Sequence, residues 1–341
     1  MEKIVFGKTN LQAGRTGFGA IPIQRISYDE STAILRRAYE AGVNVFDTAN
    51  GYTTSEDRIG VALSDVRDKI ILCTKSGAVY NDGWRGTAEG LIKNLENSLV
   101  KMRTDYIDVF QFHCPWFVPR PGGDDGLYDA LEKAKREGKI RHIGITAHKK
   151  HLAVEAVESD LYDVLQYPFS YLSAPEELEI AEKCRKHNVG VLGMKALCGG
   201  ILTNAKAAFA FLRQYENIVP IWGIEKLSEL DEILTYEKNP PNLTDELLKE
   251  IERDKLELCG SFCRACGYCL PCPANIPIPM AARMKFLLNR MVAENFKTPE
   301  WQENMRKIED CTDCGHCKAN CPYELDVPEL LRQHKAHYFG E

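Results

Sequence analysis

Short apolar runs alternate with helical patterns eight times across residues 16–236, and this alternation leaves few folds open. The runs predicted as strands cover 16–21, 44–48, 69–74, 106–112, 140–146, 163–167, 190–194 and 218–222. Helix-like segments fall at 28–41, 55–63, 87–102, 127–137, 149–158, 175–187, 204–215 and 228–236. Runs such as Ile70-Ile71-Leu72-Cys73 and Val189-Gly190-Val191-Leu192-Gly193-Met194 are apolar on both faces, as strands of a parallel sheet covered by helices are. The pattern predicts an α/β fold, a (β/α)8 TIM barrel. A doubly wound sheet would want a glycine-rich turn after its first strand, and Gly17-Phe18-Gly19-Ala20 lacks the third glycine and the helix start. Asn239-Pro240-Pro241-Asn242 closes the repeat, since the double proline stops the eighth helix. Thr244 is the expected N-cap of the next one. The domains expected are a barrel over 1–238 and a smaller unit over 239–341.

The second unit is marked by cysteine. Nine of the 13 cysteines lie between Cys259 and Cys321. Such density at two-residue gaps suggests metal rather than disulfides. A net charge of −6 with no basic stripe speaks against nucleic acid as a partner. No run approaches the roughly 20 apolar residues of a membrane span, and Met1-Glu2-Lys3-Ile4-Val5 does not open like a secretory leader. The expectation is a cytoplasmic protein with no membrane partner.

The spacing says more. Cys263-x2-Cys266-x2-Cys269-x2-Cys272-Pro273 is followed by Cys311-x2-Cys314-x2-Cys317-x3-Cys321-Pro322. The second run is that of bacterial-type [4Fe-4S] ligation, in which the fourth cysteine serves the other cluster. The predicted ligand sets are Cys263, Cys266, Cys269 and Cys321 for one [4Fe-4S] cluster, and Cys311, Cys314, Cys317 and Cys272 for the other. Behind each Cys-Pro stand apolar residues at matching places (Ile276 and Leu325, Ile278 and Val327), then Pro279 and Pro328 opening helical patterns. The two halves read as copies. Two zinc sites are the alternative, but zinc uses separated pairs rather than triplets followed by Cys-Pro. Cys259 has no counterpart in the repeat and reads as a plain thiol.

In a (β/α)8 barrel the chemistry sits at the C-terminal ends of the strands. Asp47 ends the second predicted strand, with Tyr52 five residues on; Lys75 ends the third and His113 the fourth. Each alone could be a cap or a core residue. Together at one mouth, an Asp, a Tyr, a Lys and a His suit proton transfer to an oxyanion. A lysine beside the phenol is expected to lower its pKa, with the carboxylate holding the lysine.

These residues lie in segments that resemble a known family. Val45-Phe46-Asp47-Thr48-Ala49-Asn50-Gly51-Tyr52, with Ser55-Glu56 and Ile59-Gly60, resembles the aldo-keto reductase signature. Ile71-Leu72-Cys73-Thr74-Lys75 and Val109-Phe110-Gln111-Phe112-His113 resemble its lysine and histidine strands. Gly193-Met194-Lys195 and Ile221-Trp222-Gly223 resemble the seventh and eighth strands, and Phe6-Gly7-Lys8-Thr9 resembles the hairpin that plugs the barrel bottom. The cysteine region resembles the ferredoxin-like extension, small and mainly helical, of the family's iron–sulfur branch.

The resemblance implies a carbonyl reductase or alcohol dehydrogenase using NAD(H) or NADP(H). Tyr52 would be the general acid, Lys75 with Asp47 would tune it, and His113 would orient the carbonyl. Gln166 matches the glutamine that holds the carboxamide, and Thr146, Met194, Lys195, Gly223, Lys226 and Glu232 would line the cofactor. Departures are visible. Thr146-Ala147-His148 stands where the family often has Ser-Asn, and Met194 where it often has an aromatic. Glu225-Lys226-Leu227-Ser228-Glu229 offers one lysine between acids, which favours NAD over NADP. Three readings stay open: an ordinary reductase of a small carbonyl with structural or sensing clusters, a reductase fed through its clusters by a ferredoxin or other electron carrier, and an electron-transfer adaptor with a non-catalytic barrel.

Overall fold

The computed structural model describes residues 1–77, 86–259 and 262–340. It opens with an antiparallel hairpin, β1 (Lys3–Val5) and β2 (Gln12–Gly14). Eight parallel strands then close a barrel: β3 (Gly17–Gly19), β4 (Val45–Asp47), β5 (Ile71–Ser76), β6 (Ile107–His113), β7 (Ile140–Thr146), β8 (Val164–Pro168), β9 (Gly190–Met194) and β10 (Ile218–Gly223), the last pairing with the first. Helices α1 (Tyr28–Glu40), α2 (Ser55–Leu63), α3 (Ala88–Lys101), α4 (Leu127–Arg136), α5 (Lys150–Glu158), α6 (Pro175–Lys186), α7 (Ala205–Leu212) and α8 (Leu227–Lys238) lie between and after the strands. The predicted barrel is the observed one.

Side-chain alternation sorts the barrel interior into layers. Val45, Cys73, Val109, Val164, Leu192 and Val219 form a buried apolar floor with Phe6 of the hairpin. Phe6 can enter because Gly7 and Gly190 leave room: a Cβ on Gly7 would lie 2.2 Å from the Gly190 nitrogen. Two positions further along the strands, the same face presents Asp47, Lys75, Gln111, Gln166 and Met194. The floor is apolar; the layer above it is polar except at Met194.

The described residues divide into two compact units, one of residues 1–77, 86–196 and 206–243, the other of 197–205, 244–259 and 262–340. The stretch 197–205 thus groups with the second unit, although it precedes the double proline. Arg283 ties it in by donating to the Cys198 and Gly199 carbonyls at 3.3 and 3.0 Å, and Arg290 by donating to that of Ile201. The second unit holds α9 (Asp245–Leu258), α10 (Ile278–Ala281), α11 (Met284–Arg290), α12 (Pro299–Arg306), α13 (His316–Ala319) and α14 (Val327–Phe339). Thr244 caps α9 as expected, and Pro279 and Pro328 stand in the first turns of α10 and α14. Among the described residues no helix is long and apolar enough to cross a membrane.

Candidate functional site

The segment after β4 is pinned residue by residue. The Thr48 and Asn50 amides donate to the Cys73 and Lys75 carbonyls, so the chain follows β5 past the end of its own strand. Thr48 Oγ1 meets Ser55 Oγ at 2.8 Å, and Ser55 Oγ donates to the Ala20 carbonyl. A tight turn, Tyr52 N to Ala49 O, then sets Tyr52 on the rim.

Lys75 is 1% exposed, and its ammonium makes three short bonds: to Asp47 Oδ1 (2.8 Å), Asp47 Oδ2 (2.7 Å) and the Thr48 carbonyl (2.7 Å). Gln166 Nε2 donates to Asp47 Oδ2 at 3.3 Å, and Gln111 Nε2 to Gln166 Oε1 at 3.0 Å. A polar chain therefore crosses the barrel above its apolar floor. Burial pushes the Asp47 carboxyl up, and Lys75 with the two amides opposes it. Tyr52 stands beside this chain, the Lys75 ammonium 5.4 Å from its ring centre and the His113 ring edge-on at 6.0 Å.

The phenol differs from the expectation. Burial, then the charges of Asp47 and Cys114, push it up rather than down. The ammonium is committed to the carboxylate, so its effect on the phenol is offset. Tyr52 is accordingly a held proton rather than a poised phenolate. His113 is pushed well below the ordinary histidine value by burial and by Lys75, His148 and Lys195, which keeps its imidazole neutral.

Cys114 and His148 join the mouth, and neither was picked out as a functional residue from sequence. The Cys114 amide donates to Thr146 Oγ1 at 2.8 Å, and its sulfur lies 3.2 Å from the same oxygen. Gln111 was missed as well, although it sits two positions before His113 and shares its face. Beyond β6 the loop exposes Trp116 and Phe117, with the Lys149 ammonium 4.2 Å over the Trp116 ring.

The residues expected around a nicotinamide are scattered more widely. Gln166 is engaged by Asp47 and Gln111, and Thr146 by Cys114. Met194 packs half-buried against the barrel floor, and Lys195 comes next in a left-handed conformation with φ of 64°. Gly223 and Lys226 are exposed. Glu232 accepts from the Tyr236 hydroxyl, while Glu229 accepts from the Glu225 and Lys226 amides at the start of α8. Two guanidiniums not seen from the linear stretch reach its acids: Arg25 lies 3.1 Å from Glu225 and Arg37 3.1 Å from Asp231.

The cysteine repeat is also a repeat in backbone. Ala265 and Asp313, the second residues between paired cysteines, both have φ of 48°. Gly267 and Gly315 come next at 86° and 76°, and Asn275 and Glu324, three past each Cys-Pro cysteine, at 53° and 54°. Ile276, Ile278, Leu325 and Val327 are all buried. One pocket is lined by Cys272 and Cys269 together with Cys311, Cys314 and Cys317. Tyr323, two past Cys321, lies under the Arg264 guanidinium at 4.4 Å, which sets the Cys321 turn against the first triplet. Five thiols lining one pocket are the donor type that an iron–sulfur cluster takes.

Comparison with known proteins agrees with this fold. The model of the aldo/keto reductase family matches residues 3–210. The chain belongs to the aldo/keto reductase family. A 4Fe-4S dicluster domain model matches residues 262–326. L-galactose dehydrogenase of Arabidopsis thaliana is 31% identical over 216 residues, which cover 60% of this chain and 67% of that protein. NADH-specific methylglyoxal reductase of Escherichia coli is 29% identical, over 60% and 69% respectively. The solved structure of an aldo-keto reductase from Bacillus halodurans superposes with a TM-score of 0.63 at 22% identity, covering 74% of this chain and 96% of that one. The chain is thus an aldo/keto reductase barrel followed by a mainly helical 4Fe-4S dicluster domain.

Proposed function

We propose that this oxidoreductase reduces an aldehyde or ketone, or oxidises the matching alcohol, at the Asp47–Tyr52–Lys75–His113 rim. The observation that carries the reading is the convergence of a protonated phenol, a neutral imidazole and a buried ion pair at one mouth. A nicotinamide, when bound, supplies or accepts the hydride. Tyr52 gives its hydroxyl proton to the carbonyl oxygen, and the His113 imidazole, kept neutral, orients that oxygen without competing as an acid. As the phenol loses its proton, the Lys75 ammonium stabilises the oxygen left behind. The Asp47 carboxylate holds the ammonium in place and prevents an unpaired buried charge. Gln166, Thr146, Met194, Lys195, Gly223, Lys226 and Glu232 are the residues proposed to hold the cofactor.

NADH is the preferred form in this reading. Glu229 takes up the amides that open α8, donors that a 2′-phosphate would otherwise use, and Arg25 and Arg37 are tied to acids. The Escherichia coli relative, named for its NADH specificity, points the same way. Equilibrium titration of the anaerobic protein with both reduced cofactors decides it. NADH binding at least as tightly as NADPH, and unchanged in Arg25→Ala, supports the reading; clearly tighter NADPH binding, weakened in Arg25→Ala, overturns the preference.

A second reading keeps one observation on its side. Gln166 and Thr146, the residues expected near the carboxamide, are already occupied by Asp47, Gln111 and Cys114. A barrel that binds neither cofactor would instead receive electrons through two [4Fe-4S] clusters, held by Cys263, Cys266, Cys269 and Cys321 and by Cys311, Cys314, Cys317 and Cys272. Failure of both titrations, with carbonyl reduction driven by a reduced ferredoxin, is the result that would favour it.

A further inference from the structure

The two cysteine loops have the same backbone and different surroundings. Cys263-Arg264-Ala265-Cys266-Gly267-Tyr268-Cys269 aligns with Cys311-Thr312-Asp313-Cys314-Gly315-His316-Cys317, left-handed residues included. A difference in exposure between them is therefore not a difference in loop shape. In the first loop Cys263, Gly267, Tyr268 and Cys269 are buried and Cys266 is half-buried. In the second, Thr312, Asp313, Cys314 and His316 are exposed, and Cys317 is the one buried residue.

Packing within the second unit differs between the two loops. Phe262, just before the first loop, meets Phe286 edge-on at 6.1 Å and lies beneath Arg283. Arg264 covers Tyr323. The second loop is preceded by exposed Asp310 and bordered by ion pairs at the surface, Asp313–Arg332 at 3.1 Å and Lys318–Asp326 at 2.6 Å. At matched positions, buried Tyr268 is replaced by exposed His316, and Ala265 by Asp313.

We propose that the two cluster sites are inequivalent, and that the Cys311–Cys314–Cys317 loop is where electrons cross the surface of the chain, to or from a one-electron carrier protein. The inference rests on the reading that two clusters are bound. The step moves one electron and no atoms: the carrier loses an electron and the cluster nearest the surface gains it, or the reverse. Short distance to solvent matters because the carrier must come close. A mixed rim of acids and bases fits a small, transient encounter of the kind redox partners use, fast and salt-sensitive rather than tight. In the first loop Cys263, Tyr268 and Cys269 are buried and Cys266 is half-buried, which leaves less of it open to a carrier.

The test uses the full chain, purified anaerobically and reduced with dithionite. Iron and sulfide counts come first; about four irons per chain would overturn the two-cluster reading itself, independently of where electrons enter. With about eight irons, the electron spin resonance of the two reduced clusters is recorded with and without a dysprosium chelate as external relaxant. One signal should relax strongly and the other little. Cys314→Ala should remove the responsive signal and Cys266→Ala the protected one. Equal response of both signals, or the opposite assignment, overturns the proposal. Asp313→Lys keeps every cysteine and serves if the cysteine variants lose both clusters. It should speed cluster reduction by the anionic dithionite radical by roughly threefold to tenfold at low salt, whereas Arg253→Glu, on α9, should not change it. Unchanged reduction in Asp313→Lys would place the electron port elsewhere.

Discussion

At the barrel rim the protein satisfies its own charges, whereas in the cysteine unit it assembles groups that repel one another. Lys75 finds all its partners in Asp47 and Thr48, and the pair is complete without any added group. In the second unit burial and neighbouring cysteines push the Cys269 thiol up, and Cys317 responds likewise to burial, Cys311 and Cys314. Helices α10 and α13 have four residues each and α11 seven, lengths that do not stand alone in water. The barrel site is organised by its scaffold. The cysteine unit carries the donors for an inorganic group, whose positive charge would turn crowded thiols into ligands.

That contrast carries the largest expected effect. Removing iron with a chelator under oxidising conditions should unfold most of 262–340 and leave the barrel cooperative. Circular dichroism and limited proteolysis would register this as a partial loss of helix with cleavage beyond the double proline. A single transition for both units would mean that the barrel depends on the clusters too. Tyr52→Phe should lower carbonyl reduction by roughly 10²–10⁴-fold, the range for general acid catalysis. Cofactor affinity should hold, so the loss falls on turnover, and full activity would remove Tyr52 from the chemistry.

Lys75→Met tests whether the rim is self-satisfied. Leaving Asp47 buried without its partner should cost about 3–5 kcal/mol in denaturant unfolding of the barrel, with little change in iron content. Acid should weaken both units by a smaller margin. His334, buried against Phe286, is pushed down to about 4 from 6.5, so its neutral form stabilises the fold. Stability is then full above 6.5 and falls as pH drops through 6.5 toward 4, by about 3 kcal/mol at most. In the barrel, burial would raise Asp163, but His142, Lys135 and the Ile143 amide outweigh it and hold the carboxyl at about 2. Its contribution is lost only as pH falls through 3.8 toward 2. In the barrel His113 is also held neutral by burial and loses stability in the same direction below 6.5, so substitution rather than onset tells the units apart: His334→Leu should remove the acid-sensitive step of the cysteine unit and leave that of the barrel. Unchanged acid sensitivity in His334→Leu would contradict this.

The rim was legible in part because strand ends are legible. Asp47, Lys75, His113 and Gln166 each close or nearly close a strand whose apolar run is obvious, and the barrel rule places those ends at one mouth. Gln111 was equally available from its two-residue spacing to His113, but a lone glutamine in an apolar strand carries no signature. Cys114 and His148 lie in loops after strands, where side-chain direction follows no period. Arg25 and Arg37 escaped for a different reason. They stand about 200 residues from the acids they meet, and no local pattern links them to Glu225 and Asp231.

The cysteine spacing alone carries the two copies and the expectation of clusters with a crossed fourth ligand, because thiolate geometry is set by short chain segments. The alternation of strands and helices likewise determined the barrel, because each strand must bury both faces. Tertiary structure decided what those patterns leave open. It set the phenol above its ordinary value, since the neighbouring ammonium already belongs to Asp47. It exposed one cysteine loop and enclosed its twin, since identical backbones acquire different environments only from what packs against them.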